Sequence, residues 1–401
     1  MSLISPWRSD FPALAAFEAE NQTYLDSAAT AQKPLVLIDA LHACYSYGIA
    51  NVHRAQHLPA ERSTQAFEAA RQKMADWIGA GSPSRIVFTR GATEALNLLA
   101  YGLEHLIQPG DDIVVSALEH HANLLPWQQL ALRRQARLVI LPIDDAGMVD
   151  LDAARQMIGS RTRLLAVSQL SNVLGSWQPL AELLPMARTH GALTIIDGAQ
   201  GAVHGRHDVQ KIGCDFYVLS SHKLYGPDGV GILYGRNEAL NQLQHWQFGG
   251  EMVRAADYHA AEFHSTPFGF EAGTPPIAGV IGLGATLDYL AGLDMVAVSA
   301  HEQSLHAELM AGLLARKSIR IVAHPQTALV SFNAIGVHHA DLSHLLTEQG
   351  IAVRSGTHCA MPLMKHLGLA GAIRVSLGLY NDSSDLQRFF TALDQALELL
   401  A

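Results

Sequence analysis

Lys223 lies in the segment SSHKLYGPDGVGILYG, residues 220–235, where most of its neighbours are glycine or small apolar residues. A charged amine in such surroundings usually costs stability unless it is paired or takes part in chemistry. A surface lysine whose apolar stem packs locally is the alternative. Only six of the 27 basic residues are lysines, and an amine in a pocket can form a Schiff base with an aldehyde. We therefore take Lys223 as the first candidate catalytic residue.

Other polar residues come directly after apolar runs that have the pattern of strands. Asp197 ends the run ALTIID, where an unpaired carboxylate would be costly, so it should face a cation or a protonated nitrogen. Thr93 opens a helix in RGATEALN, where free backbone N–H groups and a hydroxyl form a site for an anion. Asn172, in QLSNVLGS, could hydrogen-bond a ligand. Each of these could also be an ordinary turn residue or helix cap.

Histidines add flat, proton-transferring groups to this set. The pair His120 and His121 in LEHHAN could stack on a ligand or act as acid and base, or could lie in a surface turn. Ser220 and His222 flank Lys223. One ligand would use all of these groups. Pyridoxal 5'-phosphate needs a lysine amine, an acidic partner for its ring nitrogen and a phosphate site, so we predict it as the cofactor.

Cys359 has the most reactive surroundings of the three cysteines. The segment IAVRSGTHCAMPL follows a predicted strand and should form a loop that holds this thiol near solvent. His358 is adjacent and Arg354 lies five residues earlier, and positive charge beside a cysteine favours the thiolate. Cys44 and Cys214 have the pattern of buried structural cysteines. We expect Cys359 to be a nucleophile.

Alternating apolar runs and helical patterns must position these residues. Runs that are apolar on both faces are typical of buried parallel strands, and the segments between them have helical periodicity. This order predicts a mostly parallel sheet with helices on both faces, and ligands bind at the carboxyl ends of such strands. The predicted strands span residues 85–89, 112–117, 137–142, 163–168, 192–197 and 216–221.

The pattern changes after about residue 290, which indicates a second, smaller unit. A long helical segment there precedes several strands and two more helices, as in an α+β domain. We expect a large α/β cofactor domain over residues 22–290. Residues 1–21 and 291–401 are expected to form a small domain that carries the cysteine loop. The segment FEAGTPPIAGVIGLGATLDYL is expected to connect the two.

Composition and charge exclude several classes of function. The formal net charge is −10 and no basic tract occurs, which argues against a nucleic-acid partner. No apolar stretch is long enough to span a membrane, and the N-terminus lacks a signal-peptide pattern. The cysteines are few and widely spaced, as in a reducing compartment, so we expect the cytoplasm. The 21 histidines include no HExxH motif, and we predict no metal site.

Eleven motifs, taken in order, resemble those of one protein family. They are LDSAATAQKP, NVHR, RGATEALN, EHHANLLPW, SNVLG, DGAQGAVH, SHKLYGPDGVGILYG, GGEMV, EAGTPP, RSGTHCA and IRVSLGLYN. From about residue 20 to 395 the chain is similar to group II cysteine desulfurases of the SufS/CsdA type, above all to their CsdA-like branch, within class V of the pyridoxal phosphate-dependent aminotransferases. The resemblance implies the aspartate-aminotransferase-like fold (fold type I), with a mostly parallel seven-stranded sheet, a smaller α+β C-terminal domain and a homodimer.

The resemblance also implies a role for each matching position. Lys223 would hold the cofactor covalently, His120 would stack on its ring as an acid–base group, and Thr274 would reach the phosphate of the other subunit. Asp197 would pair with the pyridinium nitrogen and Gln200 with the ring oxygen. The full cofactor-binding set is Ala92, Thr93, His120, Asp197, Gln200, Ser220, His222, Lys223 and Thr274. The substrate-binding set is Asn172, Arg354 and Arg374.

The implied reaction converts L-cysteine to L-alanine and leaves the sulfur as a persulfide on Cys359, with Lys223 and His120 completing the catalytic set. The sulfur would then pass to an acceptor protein of the SufE or CsdE type, for iron–sulfur cluster or other sulfur-containing cofactor biosynthesis. L-Selenocysteine is expected as a second substrate.

Other interpretations of the same residues stay open at this point. A selenocysteine lyase, a kynureninase-like hydrolase or an aminotransferase would share the cofactor, but none of them needs a thiol in the RSGTHCA loop. A non-catalytic sulfur-transfer scaffold would keep the loop without the cofactor. A Rossmann-type nucleotide enzyme is disfavoured, because no GxGxxG follows the first strand and no GxxxxGK[ST] motif occurs.

Overall fold

The computed structural model describes residues 3–400 of the 401-residue chain. Its strands are β1 (Thr23–Tyr24), β2 (Ile86–Thr89), β3 (Asp112–Ser116), β4 (Arg137–Leu141), β5 (Thr162–Ser168), β6 (Leu193–Asp197), β7 (Phe216–Ser220), β8 (Gly231–Gly235), β9 (Val253–Ala256), β10 (Ala261–Phe263), β11 (Ile319–Ile321), β12 (Leu329–Ala334), β13 (Ile351–Ala352), β14 (Arg354–Gly356) and β15 (Ala372–Ser376). Its helices are α1 (Pro12–Ala19), α2 (Leu35–Tyr47), α3 (Leu58–Trp77), α4 (Ala92–Gly102), α5 (Leu125–Arg134), α6 (Leu151–Met157), α7 (Leu180–Thr189), α8 (Val209–Ile212), α9 (Asn237–Leu240), α10 (Ile277–Ala291), α11 (Met295–Leu314), α12 (His339–Glu348), α13 (Met361–His366) and α14 (Ser383–Leu399).

A seven-stranded sheet organises the first two thirds of the chain, with the strand order β2-β8-β7-β6-β5-β3-β4. All neighbouring pairs are parallel except those made by β8, which runs antiparallel to both β2 and β7. The predicted mostly parallel seven-stranded sheet is confirmed. The six strands predicted from apolar runs are all present. The seventh, β8, lies in the glycine-rich segment after Lys223, where the apolar run is short and interrupted.

Successive residues of the central strands face opposite sides of this sheet and enter two separate clusters of buried side chains. In β3, Val114 packs on one side while Ile113 and Val115 pack on the other. In β6, Ile196 and Ile195 divide in the same way. Because both faces are covered, every residue of β3 and all but the first residue of β6 are buried, which explains why these sequence runs are mostly apolar.

A smaller antiparallel sheet, with the order β11-β12-β15-β14, lies in the C-terminal part of the chain. Helices α11, α12 and α14 contribute to its core, in which Phe332 and Phe389 are fully buried. The short strand β1 pairs with β13, so Leu25 belongs to this core as well. The domain boundaries near residues 22 and 290 stay predictions, and residues 1, 2 and 401 of the predicted small domain lie outside the described part of the chain.

Helix α10 occupies the segment that was expected to connect the two units, and it packs along α2 and α3. Gly282 lies against Leu37 of α2, and Gly284 against Ala70 of α3, so the helices approach closely. No single helix in residues 3–400 is long and apolar enough to cross a membrane, and the only pair that passes the length and hydropathy test together, α10 and α11, bends by 86° at its junction.

The carboxyl ends of β3, β5, β6 and β7 lie on one edge of the large sheet, and helix α4 begins at the same edge. Strand β8 passes so close to the start of α4 that a Cβ atom on Gly231 would overlap the backbone of Gly91. This close approach lets the Ala92 N–H donate to Ser220 Oγ at 2.9 Å. Gly231 is therefore required for the junction between the sheet and the helix N-terminus.

We expect Gly231→Ala to lower the free energy of unfolding by about 1–3 kcal/mol, because the added methyl group must displace backbone and not a flexible side chain. Denaturant unfolding of the purified protein measures the change. Gly159→Ala is the matched control, since a Cβ atom at Gly159 would meet no atom within 4 Å. Equal effects of the two substitutions would contradict the close approach.

Candidate active site

A cavity of about 230 Å³ at the carboxyl edge of the large sheet collects most of the residues predicted from the sequence. The predicted residues that line it are Ala92, Thr93, His120, Asn172, Asp197, Gln200, Ser220, His222, Lys223, Arg354 and Arg374. Two predicted residues lie outside it. Cys359 lines a neighbouring cavity, and Thr274 is exposed in the loop before α10.

Lys223 ends the short 3-10 turn Ser221–Lys223, which directly follows β7. Burial is the largest effect on its amine and lowers the pKa of Lys223 to about 8. The guanidinium groups of Arg374 and Arg354 lower this pKa further, and the carboxylate of Asp197 opposes them. A substantial fraction of the amine is therefore neutral near pH 8, which makes it available as a nucleophile or a base.

Asp197 is the last residue of β6 and is almost completely buried. Burial raises its pKa, while the Ala199 N–H, which donates to Oδ1 at 2.9 Å, and the charge of Lys223 act in the opposite direction. A buried carboxylate in this position gains stability from any positive charge that the cavity receives. It is therefore suited to pair with a protonated ring nitrogen.

The start of helix α4 and the two residues beside Lys223 form the polar end of the cavity. Ser220 Oγ accepts the Ala92 N–H, which leaves the hydroxyl hydrogen free for a ligand. Burial lowers the pKa of His222 to about 4, so this ring is neutral at pH 7 and donates a hydrogen bond without adding charge. Its carbonyl oxygen is held by Lys33 Nζ at 3.0 Å. The helix N-terminus and these donors together suit an anion.

His120 faces the same cavity from the turn after β3. Burial, followed by the charge of Lys223, lowers the pKa of His120 to about 3, so its ring is neutral. Nδ1 accepts the N–H of Ala122 at 3.0 Å, and this assigns the ring hydrogen to Nε2. The neutral ring can stack on an aromatic ligand, and Nε2 can donate a hydrogen bond.

Arg374, Arg354 and Asn172 supply the opposite end of the cavity. Arg374 lies in β15 opposite Arg354 in β14, so the smaller sheet brings two guanidinium groups to the edge of the larger one. Arg374 Nη1 donates to the carbonyl oxygen of Asn172 at 2.9 Å, and Nη2 donates to Asp26 Oδ1 at 3.0 Å. Nε of Arg374 is buried without a hydrogen-bond partner in residues 3–400. Arg374 therefore keeps a donor for a further acceptor.

Cys359 lies beside this cavity and not in it. It lines a second cavity of about 450 Å³ that shares Thr93, His120 and Ala122 with the first. Arg354 Nη2 is 3.9 Å from Cys359 Sγ. The thiol therefore has a guanidinium neighbour. His120 forms part of the wall between the cavity of the thiol and the first cavity.

The family described as Aminotransferase class-V matches residues 23–389. The chain belongs to the class-V aminotransferase family. A relative named "Probable cysteine desulfurase" from Pseudomonas putida is 69% identical over 396 residues, which is 99% of each chain. "Cysteine desulfurase CsdA" from Escherichia coli is 43% identical over 404 residues, which is 100% of each chain.

Solved structures of cysteine desulfurases are similar to this chain as well. The crystal structure of cysteine desulfurase CsdA from Escherichia coli has a TM-score of 0.92 and covers 98% of each chain at 43% identity. The apo structure of cysteine desulfurase from Thermococcus onnurineus has a TM-score of 0.93 and covers 99% of each chain at 34% identity. The predicted resemblance to cysteine desulfurases, and the predicted fold type, are confirmed.

The charges in the cavity of this class-V chain fit pyridoxal 5'-phosphate and an amino acid substrate. Lys223, Arg354 and Arg374 line it together with one carboxylate, Asp197. This excess of positive charge suits a phosphate and a carboxylate, and the unpartnered Nε of Arg374 suits the carboxylate in particular. Lys223 suits the aldehyde of the cofactor.

Two residues next to the cavity, Asp26 and Glu119, were not assigned a site role from the sequence, and a third, His121, has a contact that was not predicted. Asp26, in the motif LDSAATAQKP, holds Arg374, and its place in a recognised motif was the available signal. Glu119 is a buried acid directly before His120, and an acid between two apolar runs was the signal there. His121 was expected to stack on a ligand, to act as acid or base with His120, or to lie in a surface turn, whereas the structure shows it in contact with the cysteine loop.

We expect Asp26→Asn to lower the free energy of unfolding by about 1–3 kcal/mol, because the substitution leaves the buried guanidinium of Arg374 without its carboxylate. Urea unfolding measures this change. Asp288→Asn breaks an exposed ion pair with Lys73 and should change stability by less than about 1 kcal/mol. If Asp26→Asn proved as mild as this control, Asp26 would not be the group that stabilises Arg374.

Proposed function

We propose that this chain is a pyridoxal phosphate-dependent cysteine desulfurase that converts L-cysteine to L-alanine and retains the sulfur on Cys359. The position of Cys359 is the observation that carries the proposal. Its thiol lines a cavity that shares a wall with the cavity of Lys223. An aminotransferase has no use for a thiol at this place, whereas a desulfurase needs one within reach of the substrate sulfur.

The cofactor would be held from three sides. Lys223 would bind its aldehyde carbon, Asp197 would keep its ring nitrogen protonated, and His120 would stack on its ring. Gln200 would hydrogen-bond the ring oxygen. The phosphate would be held by Ala92 and Thr93 at the start of α4, by Ser220 and His222, and by Thr274 of the other subunit.

Pyridoxal 5'-phosphate supplies an electron sink next to the α-carbon of a bound amino acid. The residues of this chain then orient the substrate and move its protons. The guanidinium of Arg374 and the side chain of Asn172 would hold the substrate carboxylate, and Arg354 lies between this carboxylate site and the thiol. The neutral amine of Lys223 would take the proton from the α-carbon, which its lowered pKa permits near neutral pH.

Cys359 would carry out the sulfur transfer. Its thiolate sulfur forms a bond to the substrate sulfur while the bond between that sulfur and the β-carbon breaks, and the electron pair of the broken bond stays with the carbon. The β-carbon gains a proton and becomes the methyl group of alanine. The two sulfur atoms together lose two electrons and the β-carbon gains them, so the persulfide forms without another oxidant. His120 lines both cavities, and its Nε2–H would donate a hydrogen bond beside the reacting sulfur.

We also propose the homodimer that the resemblance implied. Thr274 is exposed, and the adjacent Pro275 and Pro276 border a groove of about 610 Å³ that is also lined by α2. Ile38 and Tyr45 of α2 contribute apolar surface to this groove, and Tyr45 is 74% exposed. A second copy that covers this face would bury apolar area and bring Thr274 near another cavity.

The sulfur acceptor is proposed to be a protein of the SufE or CsdE type with an accessible cysteine. Two half-exposed apolar side chains, Tyr101 and Leu125, border the cavity of Cys359 and would suit an approaching loop. L-Selenocysteine as a second substrate and the cytoplasm as the compartment stay predictions.

We expect Cys359→Ser to reduce alanine formation from L-cysteine at least about a hundredfold while the cofactor stays bound, because a hydroxyl cannot accept the sulfur. Lys223→Ala should abolish the activity and covalent cofactor binding together. Cys44→Ser, in helix α2, is the matched control and should keep the parent rate. The assays are alanine release, the visible absorbance of the cofactor and persulfide detection by mass spectrometry. Full activity of Cys359→Ser would contradict the proposal that Cys359 accepts the sulfur.

We expect covalent capture of pyridoxal 5'-phosphate by the apo protein to become faster with rising pH and to level off above about 8. Only the neutral amine of Lys223 reacts, and burial lowers its pKa to about 8, so the neutral fraction grows about tenfold per pH unit below this value. Borohydride reduction followed by peptide mapping follows the rate at Lys223. A rate that still grew tenfold per unit between pH 8 and 10 would contradict the lowered pKa.

A further inference from the structure

The second histidine of EHHAN contacts the loop that carries the nucleophilic cysteine. The backbone N–H of His121 donates to the carbonyl oxygen of Cys359 at 2.7 Å. The ring Nε2 of the same residue accepts the N–H of Met361 at 3.2 Å. One residue, 240 positions earlier in the chain than Met361, therefore holds the loop at two points directly after the thiol-bearing Cα, on either side of Ala360.

The cysteine loop needs such a hold because its backbone is strained. His358 and Cys359 have φ values of 50° and 55°, in the left-handed region that disfavours residues other than glycine. Two successive residues persist there only when their surroundings fix them. His358 is fixed from its own side, since its carbonyl oxygen accepts from Asn172 Nδ2 at 2.9 Å and its Nε2 lies 3.0 Å from the carbonyl oxygen of Ala372.

The turn that carries His121 is itself rigid, because the buried carboxylate of Glu119 anchors it through hydrogen bonds. The carboxylate of Glu119 is buried and accepts four hydrogen bonds of 2.5–3.0 Å, from Ser116 Oγ, from the N–H and Oγ of Ser168, and from Asn123 Nδ2. These donors tie together the ends of β3 and β5 and the short turn His121–Asn123. His121 is thus a fixed point against which the loop of Cys359 can be placed.

We propose that His121 is a positioning residue for the sulfur transfer: its ring holds the Met361 N–H and so keeps Cys359 in the strained turn beside Arg354. This inference rests on the proposed role of Cys359 and deepens it. The two adjacent histidines then have different tasks. His120 faces the cavity of Lys223, whereas His121 lines the cavity of Cys359 and acts only through the loop.

Two substitutions of His121 separate the ring contact from the backbone contact. His121→Ala removes the ring acceptor and keeps the N–H that donates to Cys359. His121→Gln offers an amide oxygen near the place of Nε2, so it should restore the bond from Met361. His105→Ala, at an exposed histidine in the 3-10 turn after α4, is the matched control.

The holoenzyme variants are compared by three measurements. Hydrogen–deuterium exchange of the peptide that contains Met361, measured without substrate, reports the contact directly. A single turnover with L-cysteine reports persulfide formation on Cys359, and the visible absorbance reports the cofactor. In His121→Ala we expect exchange to become faster and persulfide formation slower, each by about five- to tenfold, as for the loss of one hydrogen bond. The absorbance should not change, His121→Gln should restore both rates, and His105→Ala should match the parent.

Three results would overturn the inference: parental exchange and persulfide rates in His121→Ala, a change in cofactor absorbance that accounts for the slower rate, or failure of His121→Gln to restore either rate. The inference and the proposed function can fail separately. Full cysteine activity in Cys359→Ser refutes the nucleophile whatever the exchange data show. Parental exchange in His121→Ala refutes the positioning role while Cys359 remains the nucleophile.

Discussion

A lysine amine and two guanidinium groups share one cavity with a single carboxylate on its wall, and most properties of the site follow from this imbalance. Burial already disfavours the charge of Lys223, and Arg354 and Arg374 repel it further, so its pKa falls to about 8. The same burial keeps the ring of His120 neutral, with a pKa lowered to about 3. A ligand that brings a phosphate and a carboxylate relieves the repulsion, and this gives the cavity its selectivity for anions.

This excess of positively charged groups over carboxylates arises because the large and the small sheet meet at the cavity. The large parallel sheet delivers Asp197, Ser220 and Lys223 at the carboxyl ends of adjacent strands, where free backbone groups and the start of α4 also point. The small antiparallel sheet delivers Arg374 and Arg354 from neighbouring strands. The large sheet supplies the groups proposed to bind the cofactor and the small sheet supplies both guanidinium groups, so the site depends on the packing of one unit against the other.

The cysteine loop lies across this junction and is held by contacts from both sides. Asn172 and His121 come from the large sheet, while Arg354 and Ala372 come from strands of the small one. A strained, well-held turn places a thiol more exactly than a free loop could, since each contact removes conformations that point the sulfur elsewhere. His120 lines both cavities and His121 lines the cavity of Cys359, so the proposed roles of this pair would make the two cavities parts of one reaction site.

The sequence by itself determined the position of six strands of the large sheet and the polar residue types that end them, because burial on both faces requires apolar runs and polar side chains can follow where the strand ends. It did not distinguish the partly exposed edge strand β4 from the buried strands, and it missed the buried strand β8. Its motifs also identified the lysine, the aspartate, the arginine and the cysteine. The tertiary structure alone decided the partners of these residues. Three contacts show this: Asp26 pairs with Arg374, Glu119 is held by its hydrogen-bond donors, and His121 contacts Met361. These contacts join positions far apart in the chain or depend on side-chain direction. Neither the spacing of residues nor composition records how distant segments pack.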